Sequence, residues 1–283
     1  MDTVQRALRA AAARGLDRLD AQLLMAHVLG QSRAWVIAHG EDALSRPHAQ
    51  AFDALVERRA SGEPFAYLVG EREFHGLRLG VDASVLVPRP DTETLVAWAL
   101  DCLAGPLAEQ ARPRVIDLGT GSGAIALALK AACPRAEVWA VERSPAALAV
   151  ARANARRLTL DVHFAPGDWW QALDSASGAP AFDLAVSNPP YIAPGDPHLK
   201  DLAHEPAEAL VAGEGGLADF RAIATAAPTR LAPDGWLLFE HGWEQADEVR
   251  DVLAAAGFGA IETRHDLERR PRCTGGRIVP DSA

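Results

Sequence analysis

Val115-Ile116-Asp117-Leu118-Gly119-Thr120-Gly121-Ser122-Gly123 is a short apolar run with an acid inside it, followed by three alternate glycines. The run reads as a buried strand. The glycines make a tight turn that opens a helix at Ser122 and directs its first N–H groups at a polar or anionic group. From this point short strands alternate with amphipathic helices: Val138-Trp139-Ala140-Val141, a helix from Pro145, Val162-His163-Phe164, and Phe182-Asp183-Leu184-Ala185-Val186. A helix from about Leu217, Trp236-Leu237-Leu238-Phe239, a helix around Gln245 to Ala256, and Ala260-Ile261-Glu262-Thr263 complete the series. The alternation predicts an α/β sheet with helices on both faces and ligands at the carboxyl ends of its strands.

Ahead of the sheet the pattern is different. From Thr3 to Arg59 the apolar residues fall at helical spacing: Val4, Leu8, Ala12; Leu19, Leu23, Leu24, Val28; Ala51, Phe52, Leu55, Val56. A small bundle of four or five short helices is expected, with starts at Asp20 and at Ser45-Arg46-Pro47. Phe65 to Val87 then brings β-branched and aromatic residues around Gly76 and Gly80, as in a β-hairpin. The expected domains are a helical domain over 1–64, a hairpin linker over 65–90 and a catalytic domain over 91–283.

Composition limits the function classes. The 283 residues carry a net charge of −10, and no apolar run reaches the length that crosses a bilayer. Residues 1–80 hold ten Arg against ten acids, while the remainder holds eighteen basic residues against twenty-eight acidic. Such a balance weighs against a nucleic-acid footprint, which draws its affinity from basic patches. Cys102, Cys133 and Cys273 are odd in number and far apart, so no disulfide framework or metal site is expected. A cytoplasmic protein with no membrane contact follows as the expectation.

Three acids near the turn bear on its ligand. Alone, Gly119-x-Gly121-x-x-Ala124 also fits a dinucleotide fingerprint. Asp117, two residues before the first glycine, suits water- or amine-mediated contact with a cationic amino-acid end. Glu142 closes the next strand, where a carboxylate can accept both hydroxyls of a ribose, although a solvated strand end is the plainer account. Asp168-Trp169-Trp170 follows the third strand and offers a carboxylate and an aromatic face to an adenine ring. Core packing is the alternative for the Trp pair.

Ser187-Asn188-Pro189-Pro190-Tyr191 follows the fourth strand. Two consecutive prolines extend neither strand nor helix, so the backbone is stiff and its carbonyls stay out of any ladder. The Asn188 oxygen and the Pro189 carbonyl can accept both N–H bonds of a planar –NH2 group, with Tyr191 packed on the flat acceptor. Positioning for in-line displacement is then the main catalytic device, and no strong base is required. The plainer alternative is a rigid loop without chemistry.

With the glycine turn, Glu142, Asp168-Trp169 and Asn-Pro-Pro-Tyr in this order, the chain resembles the class I methyltransferases, whose fold is Rossmann-like. It most resembles the peptide chain release factor glutamine N5-methyltransferases, the PrmC/HemK family. Val87-Pro88-Arg89-Pro90-Asp91-Thr92-Glu93, Asp196-Pro197-His198-Leu199 and Leu238-Phe239-Glu240-His241-Gly242-Trp243 carry the likeness, which covers nearly the whole chain. The resemblance implies S-adenosylmethionine as cofactor and methyl transfer to the glutamine of the Gly-Gly-Gln loop of class 1 release factors, gripped by the helical domain of a monomer. It implies that Asp117, Gly119, Thr120, Gly121, Ser122, Gly123, Glu142, Asp168, Trp169 and Asn188 bind the cofactor. Asn188, Pro189, Pro190 and Tyr191 would hold the glutamine, with Arg89 and Glu93 at the pocket rim and no metal. Between His198 and Pro206 the chain departs from the family, being shorter and reading Ala203-His204 where Arg-Phe is common.

Other readings share parts of this pattern. A ribosomal-protein glutamine and an exocyclic amine of a nucleic-acid base fit the same clamp, although a nucleic-acid enzyme is expected to show a basic channel. A non-catalytic binding module and an NAD-dependent oxidoreductase fit the glycine turn. The basic stretch Arg269-Arg270-Pro271-Arg272-Cys273 is expected to be a solvated turn before the last strand, with RNA contact as its alternative.

Overall fold

A computed structural model of the chain describes residues 3–174 and 181–279. The chain divides at Glu71/Arg72 into two compact units. The first contains five helices: α1 (Val4–Ala13), α2 (Arg18–Leu29), α3 (Arg33–Ala38), α4 (Arg46–Ala60) and α5 (Phe65–Val69). Side-chain caps fix the starts of the first four, because the leading N–H groups of a helix lack partners within it. Thr3 accepts from Arg6, Asp17 from Leu19, Ser32 from Trp35 and Ser45 from His48. The cap of α2 is thus Asp17 and not Asp20; Asp20 lies in its first turn and accepts from Arg59 Nε at 2.7 Å. Leu24, Met25, Val36, Phe52 and Val56 fill the core of this unit.

The hairpin is narrower than expected. Residues 65–69 are helical, since five residues are too few for periodicity to separate helix from strand. Only β1 (Glu71–Phe74) and β2 (Leu77–Gly80) pair, around His75 and Gly76, both at positive φ. Residues 93–104, unassigned from sequence, form α6 (Glu93–Ala104), which buries Leu95, Trp98 and Leu103.

The second unit is built on seven strands: β3 (Arg114–Leu118), β4 (Glu137–Glu142), β5 (His163–Pro166), β6 (Phe182–Ser187), β7 (Leu231–Glu240), β8 (Phe258–His265) and β9 (Pro271–Ile278). Their order is β5-β4-β3-β6-β7-β9-β8. The first five in sequence run parallel, and β9 pairs antiparallel with both β7 and β8. Successive strands therefore step outward from β3 to β5, after which the chain returns to the other side of β3. That reversal opens a crevice at the carboxyl ends of β3 and β6.

Both faces of the sheet are covered, so its strands are apolar almost throughout. Val115, Val138, Leu184, Val186 and Leu238 pack under α6 and under α7 (Ala124–Ala132). Their neighbours Ile116, Val141, Ala185, Leu237 and Phe239 point the other way, onto the helices Ala218–Ala226 and Ala246–Ala255. Arg269 and Arg270 are exposed in a turn, as expected of the basic stretch, but Pro271 already begins β9 and Arg272 is buried. Carboxylates draw Arg272 in: its Nη2 lies 3.1 Å from Asp91 and 3.3 Å from Asp266. A charge this deep needs such partners.

One buried polar side chain knits the hairpin to the glycine turn. Asn154, on α8 (Pro145–Leu158), accepts from Gly80 N at 2.7 Å and donates to Gly80 O at 3.0 Å and Ser122 O at 2.9 Å. Asn154→Ala removes these bonds and strands their backbone partners. The expected loss is about 2–4 kcal/mol of unfolding free energy, measured by urea denaturation; a loss below about 1 kcal/mol contradicts the tie.

Candidate functional site

The glycine turn leaves β3 and immediately binds the end of β4. Gly119 N and Thr120 N both donate to Val141 O at 2.9 Å. Gly119 has φ +77, and a Cβ there would stand 2.9 Å from Cζ3 of Trp169, so the bare backbone lets the indole close over the turn. Trp169 itself has φ +39 and hydrogen-bonds Asp219. Trp170 points the other way: its ring is buried in the core and its Nε1 donates to Ile223 O at 2.9 Å.

Two acids shape the turn from opposite sides. Glu142, at the end of β4, accepts from Gly121 N at 2.8 Å through one oxygen and from Ser144 N at 2.9 Å through the other. Its carboxylate is therefore fixed at the crevice with lone pairs left over. Asp117 is fully buried under the start of α7, where Oδ2 accepts from Thr120 Oγ1 at 2.6 Å and Ala126 N at 3.2 Å. Its Oδ1 has no partner, and burial pushes the carboxyl up to about 7.

The clamp follows β6. Ser187 Oγ donates to Leu118 O at 2.6 Å, which joins the ends of β6 and β3. Beyond it, Ile192 N donates to Leu210 O at 2.9 Å, and Gln245 Nε2 donates to Tyr191 O at 3.1 Å. Gly216, at φ +92, presses against the same carbonyl, because a Cβ there would fall 2.2 Å from Tyr191 O. Burial pushes the Tyr191 phenol well above its ordinary value, so it stays neutral. The Asn188 amide donates from Nδ2 to Thr92 Oγ1 at 3.4 Å.

Beneath Asn188 and Thr92 lies Glu240, the last residue of β7 and 1 % exposed. Burial raises its carboxyl to about 7, with hydrogen bonding to Thr92 and Asn188 and the charge of Arg272 pulling the other way. His241, next in the chain, is held neutral by burial, with its pKa lowered to about 4. No role was read for Thr92 or Glu240 from sequence. The signal was an acid closing the apolar run Trp236-Leu237-Leu238-Phe239, since a carboxylate at a buried strand end needs a reason to be there.

These elements line one open cavity. Gly119, Thr120, Gly121, Ser122, Glu142, Asp168, Trp169, Asn188 and Pro190 line it; Asp117, Gly123, Pro189 and Tyr191 do not. Arg89 lines it too and pairs with Glu205, a buried acid that also accepts from Val87 N at 3.1 Å. Glu93 is not at the rim: its Oε1 accepts from His75 N at 3.1 Å and holds the hairpin turn. After His198 the chain brings Glu205 to Arg89, and Pro206, Glu208 and Ala209 line the cavity. Among the described residues no cluster of His, Cys, Asp and Glu is arranged to hold a metal, and no helix is long and apolar enough to cross a membrane.

Comparison with known proteins gives a consistent picture. Residues 2–70 match the PrmC N-terminal domain and residues 98–216 the methyltransferase small domain. The release factor glutamine methyltransferase of Bordetella pertussis is 49% identical over 266 residues, covering 93% of this chain and 96% of that protein. The one of Xylella fastidiosa Temecula1 is 47% identical, covering 96% and 97%, and the one of Escherichia coli K12 is 44% identical, covering 92% of each. Among solved structures, the human METTL16 catalytic domain bound to MAT2A 3'UTR hairpin 1 matches with TM-score 0.59 at 18% identity, over 86% of this chain and 85% of that one. The Thermus thermophilus 16S rRNA N2 G1207 methyltransferase, in complex with AdoMet and guanosine, matches with TM-score 0.51 at 23% identity, over 74% and 50%. At these identities the two structures speak for the fold.

The raised Glu240 carboxyl has a consequence for stability. The folded state keeps a proton on it that the unfolded chain releases near its ordinary value of 4.5. Its contribution is therefore complete below that value and is lost as pH rises toward 7. Between about pH 5 and 7.5, Glu240→Gln should lose less unfolding free energy than the wild type in urea titrations. Parallel curves mean that this carboxyl titrates as it does in water.

Proposed function

The chain belongs to the release factor glutamine methyltransferase family, and we propose that it moves a methyl group from S-adenosylmethionine to the side-chain nitrogen, N5, of the glutamine in the Gly-Gly-Gln loop of class 1 release factors. The observation that carries the reading is that Asn188 and Pro190 line the same cavity as the glycine turn, Glu142 and Trp169. The Asn-Pro-Pro loop and the glycine turn thus open onto one space.

The residues present suit the proposed cofactor. The cavity lining has apolar walls in Val85, Leu86, Ile125 and Val141, an indole beside a bare glycine turn, and the acids Glu142, Asp168 and Glu208 against Arg89 and Arg143. Small apolar pockets with a few aimed polar groups bind such ligands. When bound, S-adenosylmethionine supplies an electrophilic methyl on a sulfonium, with a neutral thioether as leaving group.

Glu142 holds the ribose hydroxyls, Trp169 offers its face to the adenine, and Asp168 takes the exocyclic amine. Asp117 acts from below by fixing the turn and the start of α7, and Gly119, Thr120, Gly121, Ser122 and Gly123 give the turn its close approach. The Asn188 oxygen and the Pro189 carbonyl accept both N–H bonds of the glutamine amide, Pro190 keeps that backbone rigid, and Tyr191 packs against the planar group. An amide lone pair is delocalised, so two acceptors that draw on the N–H bonds and an enforced line of approach favour formation of the N–CH3 bond as the methyl–sulfur bond breaks, and one N–H proton then leaves to water. The helical unit ahead of the hairpin recognises the release factor. The chain acts as a monomer in the cytoplasm, where that substrate is found.

Incubation with methyl-labelled cofactor and, separately, with purified release factors, ribosomal protein or nucleic acid tests the substrate by mass spectrometry. Label on the Gly-Gly-Gln glutamine is expected, and label on nucleic acid alone would overturn the proposal. Asn188→Ala should retain measurable cofactor binding and lose roughly a few hundred-fold in methyl transfer. Undiminished transfer in that variant contradicts the clamp.

A further inference from the structure

Of the chain's seven tryptophans, six are buried or half-buried and Trp243 alone is exposed, at 53%. An indole is a large apolar surface, and leaving it in water forgoes the gain from burying it.

The segment that carries Trp243 is nevertheless well held. It joins β7 to the helix Ala246–Ala255, and Gln245 N donates to Gly242 O at 2.9 Å, closing a turn with Trp243 and Glu244 at its tip. The side chain of Gln245 locks this turn from inside and ties it to the Asn-Pro-Pro-Tyr loop. Its Oε1 accepts from Gly242 N at 2.9 Å, and its Nε2 donates to Tyr191 O at 3.1 Å. Gly242 lies against the Tyr191 ring, since a Cβ there would stand 3.7 Å from Cδ2 of the tyrosine. On the other side, His241 N donates to Arg272 O at 2.9 Å and extends the pairing of β7 with β9. The tip of the turn is thus fixed one residue beyond the edge of Tyr191, with its indole exposed.

We propose that Trp243 is a docking residue for the release-factor backbone next to the target glutamine. This inference rests on the substrate reading above. A glutamine carried by a protein reaches the clamp with chain on both sides of it, and that chain has to pass over whatever borders Tyr191. In the Gly-Gly-Gln loop the two residues before the target have no side chains, so peptide planes are all they offer for recognition. A rigid aromatic face covers such planes with a large contact area at little cost in side-chain entropy, and its Nε1–H can donate to a peptide carbonyl. The neighbouring tip residue is the acid Glu244, which suits a polypeptide better than the phosphates of a nucleic acid.

Trp243→Ala should raise KM for the intact release factor about 10- to 100-fold, the range for truncating an aromatic anchor, with kcat at saturating release factor and cofactor affinity within about twofold. Trp243→Phe should restore most of the loss. Urea midpoints of both variants should match the wild type, because the side chain is exposed. A merely structural tryptophan would instead show its removal in stability and leave KM where it was. To place the contact, p-benzoylphenylalanine substituted for Trp243 and irradiated in the presence of the release factor should crosslink within a few residues of the target glutamine.

With a wild-type chain that methylates the release-factor glutamine, an unchanged KM in Trp243→Ala overturns the inference alone. So do crosslinks confined to distant parts of the factor, or none at all. A wild-type chain that leaves the release-factor glutamine unlabelled overturns both the inference and the substrate reading.

Discussion

The parallel pairing of β3 with β6 is the constraint on which the site depends. The register sets Val115 against Leu184 and Asp117 against Val186, so both strands end at the same level. The hydroxyl of Ser187 then bonds Leu118 O across the gap at 2.6 Å, and the chain diverges from there into two loops. One loop is the glycine turn and the other the Asn-Pro-Pro-Tyr clamp. Because the strand order reverses between these two neighbours, no crossover helix covers the space above them. A shift of one residue in this register would turn Asp117 to the opposite face and raise one loop relative to the other.

Four carboxylates sit beside the loops that diverge from this pair. Asp117 receives Thr120 Oγ1 and Ala126 N, and Glu142 receives Gly121 N and Ser144 N. Glu205 receives Val87 N and the Arg89 guanidinium, and Glu240 is buried at the end of β7. Asp117, Glu142 and Glu205 meet N–H or O–H donors that no helix or sheet ladder would satisfy. Burying them opposes folding, which is visible in the upward shift at Asp117 and Glu240. Two apolar layers, one on each face of the sheet, offset that cost.

How much of this was legible in sequence follows from what periodicity reports. Strands such as Val115–Leu118 and Phe182–Val186, and helices such as α8, announce themselves because both faces of the sheet are apolar and such helices are amphipathic. The loop after β6 and the glycine turn were legible as turns because proline pairs and alternate glycines have few backbone solutions. Short or irregular pieces were not: α5 is five residues long, and α6 follows a proline-rich stretch that reads as a loop. Long-range side-chain bonds were hidden altogether. Glu93 bonds the hairpin turn and Glu205 bonds residues more than a hundred positions earlier, and neither partner is encoded near the acid itself. Arg272 looked like part of a basic surface tract, yet Asp91 and Asp266 draw it inside.

The distribution of charge around the cavity bears on direction as well as binding. Its lining carries three acids, Glu142, Asp168 and Glu208, against Arg89 and Arg143. Arg89 is answered by Glu205 and Arg143 by Asp168, so the remaining field favours a cation. Methyl transfer from a sulfonium moves positive charge away from sulfur and toward the accepting nitrogen. In the proposed arrangement that nitrogen sits between the negative ends of two fixed dipoles, the Asn188 oxygen and the Pro189 carbonyl, which need no reorganisation as the charge arrives. The spent cofactor has lost its sulfonium charge and with it part of its attraction to the same acids. The same carboxylates would therefore favour the reactant over the product in the cavity.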